Sequence, residues 1–224
     1  MTAIFLTATG TDIGKTFLAV GLIRELRERG REVAAVKPVV SGYEDWSVPA
    51  SDPARLLAAL GLPANEDEIQ RISPFRFRAP VAPDLAARAE GRHLDYAALI
   101  AHSRQEIAAR ADVLLIEGIG GVMVPLDERH TVLDWMGELH LPVVLVSGSY
   151  LGSISHGLTA AAAVRQRGLH IAAVVVSERE ESVVPLDYTT AAVKRFIGRS
   201  PVLPLPCLAA GAGHETFRHL ADLL

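Results

Sequence analysis

The sequence predicts an α/β fold: one doubly wound, mostly parallel sheet with helices on both faces. Three observations carry this. Short runs rich in Val, Ile and Leu occur at 3–7, 33–37, 113–117, 143–147 and 171–176, with a weaker one at 202–205. Most lack polar alternation, the pattern of strands covered on both sides. Segments of helical periodicity lie between them, and such alternation builds parallel sheets. Finally, a Gly/Thr-rich turn joins the first strand to the first helix.

That turn is Thr7-Ala8-Thr9-Gly10-Thr11-Asp12-Ile13-Gly14-Lys15-Thr16. Small residues let backbone N–H groups face a polyphosphate, and a helix N-terminus adds partial positive charge. Lys15 can reach the terminal phosphates and the Thr16 hydroxyl can ligate Mg²⁺. The spacing departs from G-x-x-x-x-G-K-[ST], because Thr9 stands where that pattern has glycine. The expected class is therefore P-loop NTPase-like.

The helices follow in order. Phe17–Arg29 stops at Gly30; Asp52–Leu60 starts behind the candidate cap Ser51 and stops at Gly61. Tyr96–Arg110 follows Asp95, Ser153–Gln166 ends before Gly168, and Asp187–Ile197 and His214–Leu224 close the chain. The stretch 62–95 is the least regular and holds Pro63, Pro74, Pro80 and Pro83. It reads as a functional loop or lid with a short helix near 84–90. No repeat or linker divides the chain, so residues 1–224 are expected to form a single domain.

Composition narrows the function. The net charge of −4 offers no basic footprint for nucleic acid. One cysteine, Cys207, excludes an intrachain disulfide and is expected to be buried or half-buried. No basic-then-apolar leader pattern precedes the phosphate loop, and no apolar run reaches the roughly 20 residues of a membrane span. The expectation is a cytoplasmic protein that binds neither nucleic acid nor membrane.

Three further motifs carry chemistry. Glu117-Gly118-Ile119-Gly120-Gly121 ends a strand. A carboxylate there faces the ligand crevice and suits a nucleotide's metal, while the glycines permit close backbone approach. Lys37-Pro38-Val39-Val40-Ser41-Gly42 ends the second strand, where a second lysine can stabilise charge during phosphoryl transfer. Asp52 reads either as a charge at a helix start or as a metal ligand. Leu151-Gly152-Ser153-Ile154-Ser155-His156 opens a helix whose free N–H groups can take a carboxylate. Taken alone, Ser153 reads as an N-cap and His156 as structural.

Together these four motifs resemble the dethiobiotin synthetase family. Its usual patterns are T-G-T-D-T-x-V-G-K-T, K-P-V-x-S-G, V-E-G-A-G-G and L-G-x-I-N-H. Here Thr7–Thr16, Lys37–Gly42, Ile116–Gly121 and Leu151–His156 follow in the same order, with Asp134-Trp135 and Pro142–Val146 also matching. The resemblance covers about residues 3 to 206. It implies an ATP- and Mg²⁺-dependent ring closure on 7,8-diaminopelargonate with CO₂ or bicarbonate. It also implies a homodimer with substrate at the interface.

By the same resemblance, Lys37, Lys15, Thr11 and Ser41 are catalytic. Thr9, Gly10, Asp12, Ile13, Gly14, Lys15, Thr16, Glu117, Ser177 and Pro206 bind nucleotide. Thr16, Asp52 and Glu117 hold the metal. Ser41, Gly118, Gly121, Gly152, Ser153, Ser155 and Tyr188 contact substrate, with Gly152 and Tyr188 contributed across the interface. The chain departs from the family at Ala8 and Gly10, which replace Gly and Asp, and at Ser155 and Ser177, which replace Asn. A serine cannot offer an amide's paired donor and acceptor, so weak base discrimination is expected. The competing reading is a ParA/MinD-like ATPase switch for a partner protein. That group carries a signature lysine early in its loop, which Thr7–Gly10 lacks.

Overall fold

The computed structural model describes residues 2–44, 50–109, 111–179, 182–209 and 211–224. Six strands form the main sheet: β1 (Thr2–Ala8), β2 (Val33–Val36), β5 (Val113–Glu117), β6 (Val143–Gly148), β7 (Ile171–Ser177) and β8 (Val202–Leu205). Their order is β2-β5-β1-β6-β7-β8, with every pairing parallel. All residues of β5 and β6 are buried, as their unbroken apolar runs require.

The helices form two layers. In one, α1 (Lys15–Glu28) packs against α2 (Asp52–Leu60) and α9 (Glu215–Asp222). In the other, α5 (Tyr96–Ala108), α6 (Val132–Leu139), α7 (Ser153–Gln166) and α8 (Leu186–Phe196) touch in sequence. Right-handed crossovers put these layers on opposite faces. The chain leaves β1 toward β2, but leaves β5 and β6 in the other direction. The crevice of this switch point opens at the carboxyl end of β1.

Helix ends follow local chemistry. Ser51 caps α2 through the Ala54 amide, and Asp95 caps α5 through the Ala98 amide. The expected end of α5 at Arg110 lies outside the described residues. The α7 cap is Gly152, at φ 94°, and not Ser153. The Ser153 hydroxyl is buried and accepts the Tyr150 amide at 3.2 Å, bracing the turn before the helix. His156 is exposed and meets the Tyr150 hydroxyl at 3.1 Å.

Residues 62–95 are more ordered than a lid with one short helix. They contain α3 (Glu66–Ile72), β4 (Phe75–Phe77) and α4 (Pro83–Ala89). β4 pairs in parallel with β3 (Val39–Ser41), matching Val39 with Phe75 and Ser41 with Phe77. Three-residue strands are too short to show a period, and α3 buries only Ile69 and Ile72. Helix α6 has no counterpart among the expected helices, though Thr131 and Asp134 form a capping box. It delivers Trp135 edge-on to Phe5, with ring centroids 4.8 Å apart. Cys207 is exposed, against expectation, because the chain leaves the sheet after Leu205.

Candidate active site

The phosphate loop is pinned from both neighbouring strands. The Thr9 amide donates to the Val146 carbonyl at 2.9 Å, and the Val122 amide donates to the Ala8 carbonyl at 3.0 Å. Gly14 starts α1 at φ 97°, a left-handed conformation that glycine adopts without strain. Lys15 and Thr16 then open the helix, both buried. The Lys15 ammonium donates to the Gly120 carbonyl at 2.8 Å and to the Gly10 carbonyl at 3.2 Å. Burial lowers its pKa to about 8, partly offset by the charge of Glu117.

Four side chains from distant parts of the chain meet beside this loop. The Thr16 hydroxyl donates to Glu117 Oε1 at 2.7 Å. Lys37 Nζ donates to the same Glu117 oxygen at 2.7 Å, to Asp52 Oδ2, and to Thr16 Oγ1 at 3.4 Å. Burial works against the Lys37 ammonium, but Glu117 and Asp52 outweigh it and hold its pKa above the usual lysine value. Burial likewise works against the Asp52 carboxylate, and Lys37 outweighs it in turn, lowering its pKa.

Local folding explains each position. Lys37 directly follows β2, and its backbone is tied down on both sides. Its amide donates to the Ile72 carbonyl at 3.0 Å, and its carbonyl accepts from the Ser73 hydroxyl at 2.7 Å. Asp52 stands in the first turn of α2, while Glu117 is the last residue of β5 and 1% exposed.

The cleft in front of these groups has a volume of about 640 Å³. Thr11, Asp12, Ile13, Gly14, Lys15, Thr16, Lys37, Ser41, Asp52 and Glu117 all line it. Other expected site residues lie elsewhere. Gly118 faces inward, where a Cβ would sit 2.8 Å from the Phe5 ring. At Gly121 a Cβ would come within 3.1 Å of the Thr9–Gly10 backbone. These two glycines admit the protein's own packing. Ser177 sits behind the loop, its hydroxyl 2.8 Å from where a Gly14 Cβ would be. Pro206 is half-buried just past β8. Gly152, Ser155 and Tyr188 are exposed and Ser153 is buried, all outside the cleft lining.

Sequence reasoning missed several lining groups. Arg55 lies one turn after Asp52 and is exposed in the cleft, a position its i+3 spacing signals. Residues 80–83 form one wall, which only the β3–β4 pairing brings near Gly42. The Gly120 carbonyl that holds Lys15 has no sequence signal beyond the glycine run.

The donor set suits Mg²⁺. Among the described residues there is no group of three or more His, Cys, Asp or Glu of metal-binding arrangement. Thr16, Asp52 and Glu117 instead provide one hydroxyl and two carboxylates, the sparse oxygen set that Mg²⁺ uses when phosphates and water complete its shell. The second Glu117 oxygen, Oε2, is buried without a hydrogen-bond partner, as is the Thr9 hydroxyl.

A family model described as an AAA domain matches residues 2–210. An ATP-dependent dethiobiotin synthetase of Acidiphilium cryptum is 45% identical over 202 residues, covering 90% of this chain and 91% of that protein. One from Caulobacter vibrioides strain NA1000 is 45% identical over 225 residues, covering 100% of this chain and 99% of that protein. Among solved structures, the cell division ATPase MinD of Pyrococcus furiosus superposes with a TM-score of 0.56 at 17% identity, covering 100% of this chain and 98% of that one. That last likeness is one of fold alone.

Proposed function

The chain belongs to the family of ATP-dependent dethiobiotin synthetases, and on that premise we propose how its residues divide the work of the reaction. The enzyme is a carbon–nitrogen ligase of biotin biosynthesis. One amine of 7,8-diaminopelargonate takes up CO₂ as a carbamate. A carbamate oxygen attacks the γ-phosphorus of ATP, releasing ADP and leaving a carbamic-phosphoric anhydride. The second amine attacks the carbamoyl carbon, phosphate departs, and the ureido ring closes.

The substrate carbamate is the nucleophile, so the protein's part is positioning and charge stabilisation. Lys15 and the amides around Gly14 bind the β- and γ-phosphates. Lys37, with Thr11 and Ser41, steadies negative charge on the carbamate and the transferring phosphoryl group. Thr16, Asp52 and Glu117 would hold Mg²⁺, which when bound would supply positive charge against the phosphates. The observation that supports this most is the meeting of Lys37 with Thr16, Asp52 and Glu117 at the phosphate loop.

The further assignments are a single domain over 1–224, a cytoplasmic location and a homodimer. Leu151 (85% exposed), Val183 (88%) and Tyr188 (62%) are apolar groups near the starts of α7 and α8, the kind of surface an interface covers. The substrate carboxylate is assigned to Gly152, Ser153, Ser155 and Tyr188 of this region. Among the described residues no helix is long and apolar enough to cross a membrane. Light scattering reads the assembly state directly, and a monomer at micromolar concentration argues against the interface assignment.

The activity is tested by phosphate release from ATP in the presence of Mg²⁺ and bicarbonate. Release is expected only when 7,8-diaminopelargonate is added. Equal release without the diamine overturns the reading in favour of a simple ATPase.

A further inference from the structure

Lys37 has three N–H donors, and three side-chain oxygens receive them: Glu117 Oε1, Asp52 Oδ2 and Thr16 Oγ1. These belong to the same three residues whose oxygens suit a hard divalent cation. A cation bound there would have to sit about 2 Å from its oxygens, well inside the space the ammonium fills. The two occupants therefore exclude one another. The carboxylate of Glu117 is 1% exposed. Two buried or half-buried carboxylates this close stay ionised together only with a positive charge between them.

We propose that Lys37 is the resident counter-cation of this metal site, and that a divalent ion binds by displacing the Lys37 ammonium into the cleft. The inference rests on the ligand assignment under the proposed function and deepens it. Fixed and moving parts are separable. The Lys37 backbone is held by Ile72 and Ser73, so displacement is a rotation of the side chain about a stationary Cα. The space it enters is the cleft lined by Val40, Ser41 and Gly42, on the side where the carbamate is assigned. Glu117 Oε2, which no donor reaches, remains for the incoming ion.

The consequence is an order of events. Before metal loading, Lys37 is held away from the reacting groups by the carboxylates. Metal loading satisfies those carboxylates and frees the ammonium for the carbamate. The lysine thus engages substrate only when the metal that phosphoryl transfer requires is in place, which limits unproductive contact with CO₂ or diamine. No covalent step is added.

Manganese(II) alone, without nucleotide or substrate, is the probe. Free Mn²⁺ is counted by electron paramagnetic resonance as it is titrated into wild type, Lys37→Met and the double variant Lys37→Met/Glu117→Gln. Removing the competing ammonium is expected to tighten Mn²⁺ binding by about tenfold or more, and the double variant is expected to lose that gain. Equal or weaker binding by Lys37→Met overturns the proposal. So does a gain that survives Glu117→Gln, since the ion then sits elsewhere.

Should Lys37→Met fail to fold, wild type still decides. A brief pulse of acetic anhydride, read by mass spectrometry, should acetylate Lys37 several-fold more with Mn²⁺ than without. An unchanged yield counts against displacement. Neither measurement involves the diamine, so the ring-closing assignment can fail or hold independently.

Discussion

The Thr16 hydroxyl donates a 2.7 Å hydrogen bond to Glu117 Oε1, joining the first turn of α1 to the end of β5 across 101 residues of sequence. This contact couples the phosphate loop to the acidic strand end before any ligand arrives. Replacing Glu117 by Gln keeps the shape but removes the charge that both Lys37 and a metal require. Turnover should fall by about 100-fold or more. Folding stability should fall by about 3 kcal/mol, because buried Lys37 keeps only Asp52 as a charged partner. Steady-state phosphate release and urea denaturation read the two effects, and a variant with wild-type turnover removes Glu117 from the site.

Gly121 and Gly10 make a contrasting pair. A Cβ at Gly121 meets the Thr9–Gly10 backbone at 3.1 Å, whereas one at Gly10 meets only the Ile13 side chain at 3.8 Å. Gly121→Ala should therefore push the phosphate loop, costing about 1–3 kcal/mol of stability and weakening ATP binding. Gly10→Ala should be tolerated in both respects. Thermal unfolding and calorimetric titration with ATP compare them; the reverse ranking would show that the loop is not braced from β5.

Lys15 carries the clearest pH signature. In the fold its pKa is about 8, against 10.5 for the free side chain, chiefly because it is buried. Between those values the unfolded chain binds the extra proton, so stability rises with pH across that window. At pH 7 the buried charge is a cost. Lys15→Met should then be more stable than wild type at pH 7, by up to about 3 kcal/mol, with the advantage shrinking toward pH 10. ATP binding at pH 8.5 should take up part of a proton in wild type and none in the variant. A constant stability difference from pH 7 to 10 would contradict the assignment.

Ser177 turns its hydroxyl toward the start of α1, 2.8 Å from where a Gly14 Cβ would lie. It ends β7, where the resemblance read from the sequence implies an Asn instead. One short hydroxyl cannot supply the paired donor and acceptor with which an amide reads adenine. Turnover with CTP and GTP should fall within about 100-fold of that with ATP, since one lost paired contact is worth about 1–3 kcal/mol. Ser177→Asn should widen the gap. A preference for ATP beyond that range in the native protein means the base is read by other groups.

Much of this was legible in the chain. β5 and β6 announced themselves as unbroken Val/Ile/Leu runs, because burial on both faces leaves little room for polar residues, while the partly buried β2 and β8 gave weaker signals. Ser51 and Asp95 marked helix starts through local capping, which depends on neighbours three residues away. Where the controlling interaction was remote or the element short, the signal failed. β3 and β4 hold three residues each and exist because they pair with each other. Cys207 looked like a core residue by type, yet its exposure depends on where the chain leaves β8.

The sequence by itself determined the alternation of strands and helices, the phosphate loop and the ordered set of motifs that marks the family. Such features are written in local period, turn chemistry and spacing. Only the tertiary structure decided what those motifs touch. It turned Gly118 and Gly121 inward as packing positions, brought Arg55 and residues 80–83 to the cleft, and set the Lys37 ammonium among Thr16, Asp52 and Glu117. The physical reason is range. A hydrogen bond or ion pair acts over a few ångströms of space, and only the parallel sheet brings residues 16, 37, 52 and 117 within that distance.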